Sequence, residues 1–438
     1  MTISNRGPQG ASKTWHIGLT AVLASASMGF AGASHAAGPE QVLTPAAQAQ
    51  YLAANKVDTS KWTPRLLSKP PLVKGGVLNL SRPRNLISGP GLTVPYWTTA
   101  ITSPVDNQTY TVSMVGSSPY DAHPANTNVI YVPVVIRIHL KGFVLDPTAP
   151  GQCDAQSASR RFFNSPLFRP TTFDSNGVNV SNVPGGTQLI SAYQRANFWN
   201  AVKGTGYGVT LIPSQLTPIV VDWFPTNPSD RVVGVPSNCG GPSTPVPLVE
   251  IDEFDNELQA IAATYAKPNQ IPVALALDTA IYIGNTGNCC VLGYHNAVPV
   301  AGGTQLYATG AYYDTDSVFG PHFADTTIWV HELGELIDDP FVQSIPGAPG
   351  GFDNDLTPNW GPTGQVFGCQ NNLENGDPLT PDQVGNFGNF PVAGVGGFVY
   401  HYQDLAFHDW FYRTASSSAG GKYSFKGYFN TSAGPICH

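Results

Sequence analysis

The residues best able to do chemistry lie in one segment, residues 323–339, whose sequence is FADTTIWVHELGELIDD. The apolar spacing around His331 predicts a helix. Positions i and i+4 of a helix lie on one face, so His331 and Glu335 can bind the same metal ion. Glu332 is expected at the rim of that site, where it would act as a catalytic base toward water.

The HExxE spacing alone is a weak signal, because a His and two Glu on a helix also form an ordinary solvated face. Composition strengthens it, since the chain holds only seven glutamates and two of them flank His331 in an otherwise apolar helix. Carboxylates near a buried face need a partner. A carboxylate is an accepted zinc ligand, so Zn²⁺ is the expected cofactor, and the anionic set also admits Mn²⁺ or Ca²⁺.

The segment resembles the active helix of the zincin metallopeptidases, with Glu335 in place of their second His. It is still more similar to secreted HExxE proteins and to plant proteins of the phosphate-induced, Exordium-like type. The resemblance spans roughly residues 185–410 and is carried also by residues 188–199, 289–295, 374–379 and 400–407. It implies peptidase-like hydrolysis and a zincin-like fold, in which a sheet packs on the metal helix and on a backing helix, here 187–202.

The resemblance also implies a third metal ligand downstream. Zincins of the Glu type take a glutamate there, which makes Glu374 the first candidate. Asp377 lies in the same Glu-Asn-Gly-Asp turn, where Gly376 lets the backbone bend tightly. Asp339, four residues after Glu335, is the next candidate. The alternatives are a surface turn for Glu374 and Asp377, and helix capping for Asp339.

Two histidines outside the helix are candidate catalytic residues. His295 follows a strand in a Gly-Tyr-His turn, where it would bind substrate or stabilise an oxyanion; a hydrogen-bonded loop residue is the alternative. His401 would serve as a ligand or a transition-state donor, and packing within its aromatic segment is the alternative. Asp353 and Asp355 are a weaker candidate for Ca²⁺, because the EF-hand spacing is absent.

The elements that must position these residues alternate along the chain. Strands are predicted at 129–140, 271–283 and 305–313, and helices at 187–202 and 252–265. Within the metal helix, Asp325 is the candidate N-cap and Pro340 enforces the end. This order indicates one mixed α/β (α+β) domain over residues 96–438, rich in strands and loops and stapled by disulfides.

Composition narrows the class of protein. Of the 438 residues 11% are charged, against about 25% in an average soluble domain. Lys, Glu and Arg are too few for a dominantly helical protein. The 42% hydrophobic content excludes disorder, and the formal net charge of −8 argues against a nucleic-acid partner.

The N-terminus is predicted to be a signal for export. Arg6 and Lys13 precede an apolar stretch, residues 17–33, and small residues follow, so residues 1–36 are taken as a secretory signal peptide. A membrane anchor is the alternative, and no later segment is expected to span a membrane. Residues 37–95 are interpreted as an extended arm or a removable pro-segment.

Six cysteines remain after that signal. An even number in an exported protein indicates up to three disulfides. Adjacent Cys289 and Cys290 are expected to bond to two different partners, because ordinary disulfide geometry separates the two Cα atoms by more than neighbouring residues allow.

These observations predict a secreted or periplasmic metal-dependent hydrolase, a zinc metallopeptidase acting on a peptide or protein substrate. The alternative is a non-catalytic secreted protein on the same scaffold that binds cell wall or carbohydrate; a metal-dependent esterase is a third reading. The sequence does not indicate an oligomeric state.

Overall fold

A computed structural model describes most of the chain: residues 41–59, 62, 65–67, 93–181, 183–237, 243–300, 303–314, 318–319, 321–341, 373–380 and 389–432. These residues belong to one unit, Glu40–His438. The predicted signal peptide lies outside the described residues, as do Asp353, Asp355, Cys239, Cys369 and Cys437.

Seven helices and seventeen strands are formed by the described residues. The helices are α1 (Pro45–Ala54), α2 (Ala158–Phe163), α3 (Leu189–Asn197), α4 (Trp199–Val202), α5 (Ile251–Tyr265), α6 (Thr327–Asp338) and α7 (His408–Phe411). The strands are β1 (Arg65–Leu67), β2 (Tyr96–Thr102), β3 (Thr109–Val115), β4 (Asn126–Leu140), β5 (Phe143–Leu145), β6 (Asp174–Ser175), β7 (Val178–Asn179), β8 (Gly208–Pro213), β9 (Ile219–Trp223), β10 (Arg231–Val235), β11 (Thr244–Glu250), β12 (Gln270–Leu277), β13 (Ala280–Ile283), β14 (Asn285–Val300), β15 (Gly303–Tyr312), β16 (Asn389–Ala393) and β17 (Val399–Gln403).

Eleven of these strands form one mixed sheet in the order β10-β11-β13-β14-β15-β12-β4-β5, with β8 and β9 paired to β4 and β1 paired to β14. The central strand β12 is parallel to both neighbours, so Leu275 lies opposite Gly310 of β15 and Val135 of β4. Strand β14 is antiparallel to both β13 and β15. The mixed α/β fold class expected from the sequence is confirmed.

The sheet is covered on both faces, as the alternation along β12 demonstrates. Val273 and Leu275 pack in a hydrophobic cluster with α3 and α6, whereas Ala274 and Ala276 pack in a second cluster with α5. Successive side chains of a strand point to opposite faces, so the two clusters lie on opposite sides of the sheet. We refer to these sides as the α6 face and the α5 face.

Two predicted helices are confirmed and one predicted strand is corrected. The helix over 187–202 forms as α3 and α4, separated at Phe198, and the helix over 252–265 forms as α5. The single strand predicted over 271–283 is instead β12 and β13. The backbone turns at Asp278, whose φ is 47°, and the two strands then occupy separate places in the sheet.

The pairing of the cysteines stays a prediction, because Cys239, Cys369 and Cys437 lie outside the described residues. Cys289 and Cys290 lie next to each other across a cis peptide bond, with their Cα atoms 3.0 Å apart. They lie where the pairing of β14 with β13 shifts register, between Cys289 opposite Tyr282 and Val291 opposite Ile281. The sequence gives no sign of this irregularity.

The segment interpreted as an extended arm or pro-segment contributes to the fold. Its helix α1 packs Leu52 into the cluster on the α5 face, and its strand β1 runs parallel to β14 in the main sheet. Among the described residues, no helix has the length and apolar character needed to cross a membrane.

Candidate metal centre

Helix α6 is buried along its whole length of 12 residues. A helix enclosed on every side belongs to a protein core, and charged side chains within it need partners there. The N-cap is Thr326 rather than the predicted Asp325. The carboxylate of Asp325 instead accepts hydrogen bonds from the backbone N–H groups of Thr326 and His401.

A pair of glycines lets α6 approach the sheet. Gly293 of β14 lies directly opposite Gly310 of β15. A Cβ at Gly293 would lie 2.7 Å from Cγ2 of Ile328, and one at Gly310 would lie 3.0 Å from Cε2 of Trp329. Both distances are shorter than ordinary van der Waals contact, so side chains at these two positions would push the helix away from β14.

His331 and Glu335 face each other one helical turn apart, as the i, i+4 spacing predicts. Nε2 of His331 lies 3.0 Å from Oε2 of Glu335 and 3.6 Å from Oδ1 of Asp377. The other ring nitrogen, Nδ1, lies 3.2 Å from Oε1 of Gln403 on β17. Since an amide oxygen only accepts, Nδ1 carries a proton, and in the neutral imidazole Nε2 presents its lone pair to the carboxylates. Metal-binding histidines are oriented in this way by a second partner.

The turn that contains Glu374 and Asp377 is buried, so it is not a surface turn. The two side chains are 1% and 4% exposed. The backbone N–H of Gly376 donates to Oε1 of Glu335 at 3.0 Å, and Nε2 of Gln403 donates to the Gly376 carbonyl at 2.5 Å. Gly376 has φ −85°, an angle open to any residue. Glycine is needed here because a Cβ would lie 2.4 Å from Nδ1 of His331.

Asn375, in the same turn, attaches it to α6 and α3. Its Nδ2 donates to Oδ2 of Asp338 at 2.9 Å, to the hydroxyl of Tyr193 at 3.0 Å and to the carbonyl of Gly334 at 3.3 Å. Oδ2 of Asp338 also accepts from the Tyr193 hydroxyl and lies 3.1 Å from Nε2 of His408. This network fixes the turn against the helix that carries His331.

His295 enters the cluster from the sheet. It lies within β14, not in the turn that the sequence suggested, and on the side of the strand that faces α6. Its Nδ1 lies 3.4 Å from Oε2 of Glu332 and 3.9 Å from Oε2 of Glu335. Glu332, which was expected at the rim of the metal site, is fully buried there, and its side chain lies against Gly293 of β14.

Burial dominates the electrostatics of these groups. Desolvation raises the pKa of Glu332 well above its ordinary value, and the neighbouring Glu335 and Glu374 raise it further. Desolvation and then Asp377 raise the pKa of Glu335 in the same direction. Burial also lowers the pKa of His295 to about 3, helped by His331. The surroundings thus disfavour the charged forms of Glu332, Glu335 and His295, which a bound cation would reverse for the two carboxylates.

Two ligand sets are formed within this cluster. One is His331, Glu335 and Asp377, and the other is His295, Glu335 and Glu374; in each set the potential ligand atoms all lie within 4.8 Å of one another. The structure therefore brings together four of the predicted metal ligands. It adds His295, which the sequence had suggested only as a catalytic residue.

Asp339 and His401 lie outside both ligand sets. Oδ2 of Asp339 accepts from the backbone N–H of Leu373 at 3.0 Å, which ties the end of α6 to the buried turn. Nδ1 of His401 lies 2.6 Å from Oδ2 of Asp325 at the other end of α6, and its side chain is 43% exposed.

Sequence reasoning missed two contributors to the centre, Gln403 and Asn375. Both lie in segments that carry the family resemblance, and that is the only sequence signal for either. Comparison with known proteins adds no relative: no family model, no curated protein and no solved structure matches this chain.

Proposed function

We propose that the protein is an exported metal-dependent hydrolase, with peptides or proteins as its substrates, whose centre is the HExxE helix α6. The observation that carries the proposal is the pair of buried ligand sets that share Glu335. Imidazole nitrogen and carboxylate oxygen are ligands that Zn²⁺ and Mn²⁺ accept. The leader sequence at residues 1–36 supports export.

The donor atoms fit a divalent cation. Oε2 of Glu335 is buried and has no hydrogen-bond partner among the described residues, although it lies 3.0 Å from Nε2 of His331. A cation between them would satisfy both atoms and offset the cost of burying the charge.

The chain's own residues would have distinct roles in hydrolysis. A bound divalent cation supplies Lewis-acid activation of a carbonyl group and of water. Glu332 would take up the proton of the attacking water at Oε2 and return it to the leaving amine. His295, 3.4 Å from that oxygen, would keep the carboxylate of Glu332 oriented. Gln403 would hold His331 in the tautomer that binds a cation.

A second candidate is favoured by one observation. His331, Glu332 and Glu335 are each 0% exposed, and a closed site is typical of a structural cation rather than a catalytic one, which keeps an open position. In this reading the chain is a non-catalytic secreted binding or structural protein on a zincin-like scaffold, and the cation only stabilises the fold.

The variant Glu332→Gln separates the two candidates. In a hydrolase it should keep its metal, measured by elemental mass spectrometry, and should lose at least about 100-fold in the cleavage rate of a labelled unstructured protein. Asp255→Asn, a buried carboxylate of the α5 face, is the matched control and should keep both. Cleavage by Glu332→Gln at the wild-type rate would overturn the mechanism. If all three proteins, the wild type included, kept their metal and none cleaved the substrate, the structural reading would be supported.

A further inference from the structure

We propose that the centre holds two divalent cations bridged by Glu335, an inference that rests on the proposed metal-dependent function. HExxE spacing by itself suggests one ion, held by His331 and Glu335 with one further ligand. The structure instead offers two complete sets of three donors. Each set contains one imidazole and one carboxylate of its own, His331 with Asp377 and His295 with Glu374, and they have only Glu335 in common.

The position of the shared carboxylate carries the argument. Oε2 of Glu335 lies 3.0 Å from Nε2 of His331 on its own helix and 3.9 Å from Nδ1 of His295 on β14. It is therefore close to the imidazoles of both sets. A carboxylate has about four lone-pair sites on two oxygens, enough to bind two cations at once.

A second observation is the state of that oxygen. Oε2 of Glu335 is fully buried and has no hydrogen-bond partner among the described residues, and the same holds for Oε1 of Glu332 beside it. Buried carboxylate oxygens in native proteins are nearly always hydrogen-bonded, so two such oxygens without a hydrogen-bond donor indicate a site for a cation.

The charge of the cluster favours two ions over one. Four carboxylates are buried here, those of Glu332, Glu335, Glu374 and Asp377. In their ionised forms these groups carry four negative charges, which two divalent cations would balance, whereas one cation would balance only two of them in a site of low dielectric. Uncompensated buried charge is strongly unfavourable.

Asp338 and Asp339, two further buried acids at the end of α6, accept hydrogen bonds from residues outside the two ligand sets. The carboxylate of Asp338 accepts from the side chains of Tyr193, Gln194 and Asn375, and that of Asp339 accepts from the Leu373 backbone.

A bridged pair of ions also narrows the substrate class. Two-metal hydrolases hold their ions about 3.5–4 Å apart and clamp both the attacking and the leaving oxygen or nitrogen of the reacting group. They act on amide, ester or phosphoryl bonds, and a closed pocket admits only small or terminal substrate groups. The burial of both ligand sets fits such a substrate better than the middle of a folded protein.

The number of ions is measured on the whole purified protein, stripped with a chelator and dialysed against excess Zn²⁺. Elemental mass spectrometry should give about two zinc ions per wild-type chain. Glu374→Ala and Asp377→Ala form a matched pair, one from each set, and each should retain about one. Glu335→Ala should retain none. One zinc per wild-type chain would overturn the bridged pair and leave the proposed function standing, whereas no zinc in the folded wild type would overturn both.

A spectroscopic measurement on the wild type does not depend on the variants folding. Loaded with Mn²⁺, a carboxylate-bridged pair should give an exchange-coupled electron paramagnetic resonance spectrum at full occupancy. Glu374→Ala and Asp377→Ala should give the six-line spectrum of an isolated ion. An isolated-ion spectrum from the fully loaded wild type would contradict the bridge.

Discussion

The two faces of the central sheet each bury acidic side chains, but the side chains around them differ. On the α5 face, Asp255 belongs to helix α5 and is 6% exposed, and it is buried much as Glu335 of helix α6 is on the α6 face. Its Oδ1 accepts from the hydroxyl groups of Tyr307 at 2.7 Å and Tyr294 at 3.2 Å, and its Oδ2 accepts from Nε2 of Gln259 at 2.8 Å. Every oxygen of this carboxylate has a protein donor.

On the α6 face the side chains around the buried acids are mostly acidic. Glu335 accepts from the backbone N–H groups of Gly376 and Asp377, and it otherwise faces an imidazole and three further acidic side chains, which belong to Glu332, Glu374 and Asp377. Where protein donors surround a buried carboxylate, as at Asp255, the protein itself supplies all of its hydrogen bonds. A cluster of buried acids with few protein donors favours a bound cation, and this contrast separates a candidate metal centre from an ordinary buried carboxylate.

Removing the cation should have the largest effect. A chelator should lower the melting temperature of the wild type by about 5 °C, because a cation present at 1,000 times its Kd adds about 4 kcal/mol to the free energy of unfolding. Asp255→Asn should show the same drop, whereas Glu335→Gln should show none. Differential scanning calorimetry with and without chelator measures all three. An equal drop in Glu335→Gln would mean that the stabilising cation is bound elsewhere than at α6.

Gly376→Ala tests the packing of the buried turn on His331. The added Cβ would lie 2.4 Å from Nδ1 of His331, so the substitution should lower the free energy of unfolding by about 1–3 kcal/mol and weaken metal binding. Gly206→Ala is the matched control, since a Cβ there meets nothing within 4 Å. Denaturant unfolding and zinc titration measure the two effects. Equal behaviour of both alanine variants would show that the turn is not held against His331.

Asp255→Asn tests the α5 face itself. Asparagine keeps an acceptor for the two tyrosines but no longer accepts from Gln259, so we expect a loss of about 1 kcal/mol in the free energy of unfolding. Its metal content should equal that of the wild type. A loss of metal from this variant would mean that the two faces are not independent.

Asp230 is predicted to make the stability of the fold depend on pH. Its Oδ1 accepts from the Tyr282 hydroxyl at 2.7 Å and the Glu250 N–H at 3.1 Å, yet burial raises its pKa to about 7. The unfolded chain ionises this carboxyl near pH 4. The group therefore costs nothing below about pH 4, and the folded state loses stability as the pH rises from about 4 to 7.

Asp230→Asn should remove that contribution. The wild type should lose a few degrees more of melting temperature between pH 5 and pH 8 than the variant does, and the metal centre common to both proteins cancels in the difference. Parallel curves would show that Asp230 titrates in the folded protein as it does in the unfolded chain.

The sequence predicted the local part of the centre. The spacing of His331 and Glu335 depends only on helical geometry, and the acidic turn at Glu374 was identified through resemblance. The remaining contributions depend on tertiary structure. His295 reaches the centre because of the register of β14 and the side of that strand it occupies, and Gln403 because β17 passes beside the turn. Neither follows from spacing along the chain.

The most direct test of the central claim is anomalous diffraction from crystals of the zinc-loaded protein, recorded on both sides of the zinc absorption edge. The account predicts anomalous density among His331, Glu335, Asp377, His295 and Glu374, in two peaks on either side of the Glu335 carboxylate. Full zinc occupancy elsewhere, with this cluster empty and its side chains hydrogen-bonded to one another, would contradict it.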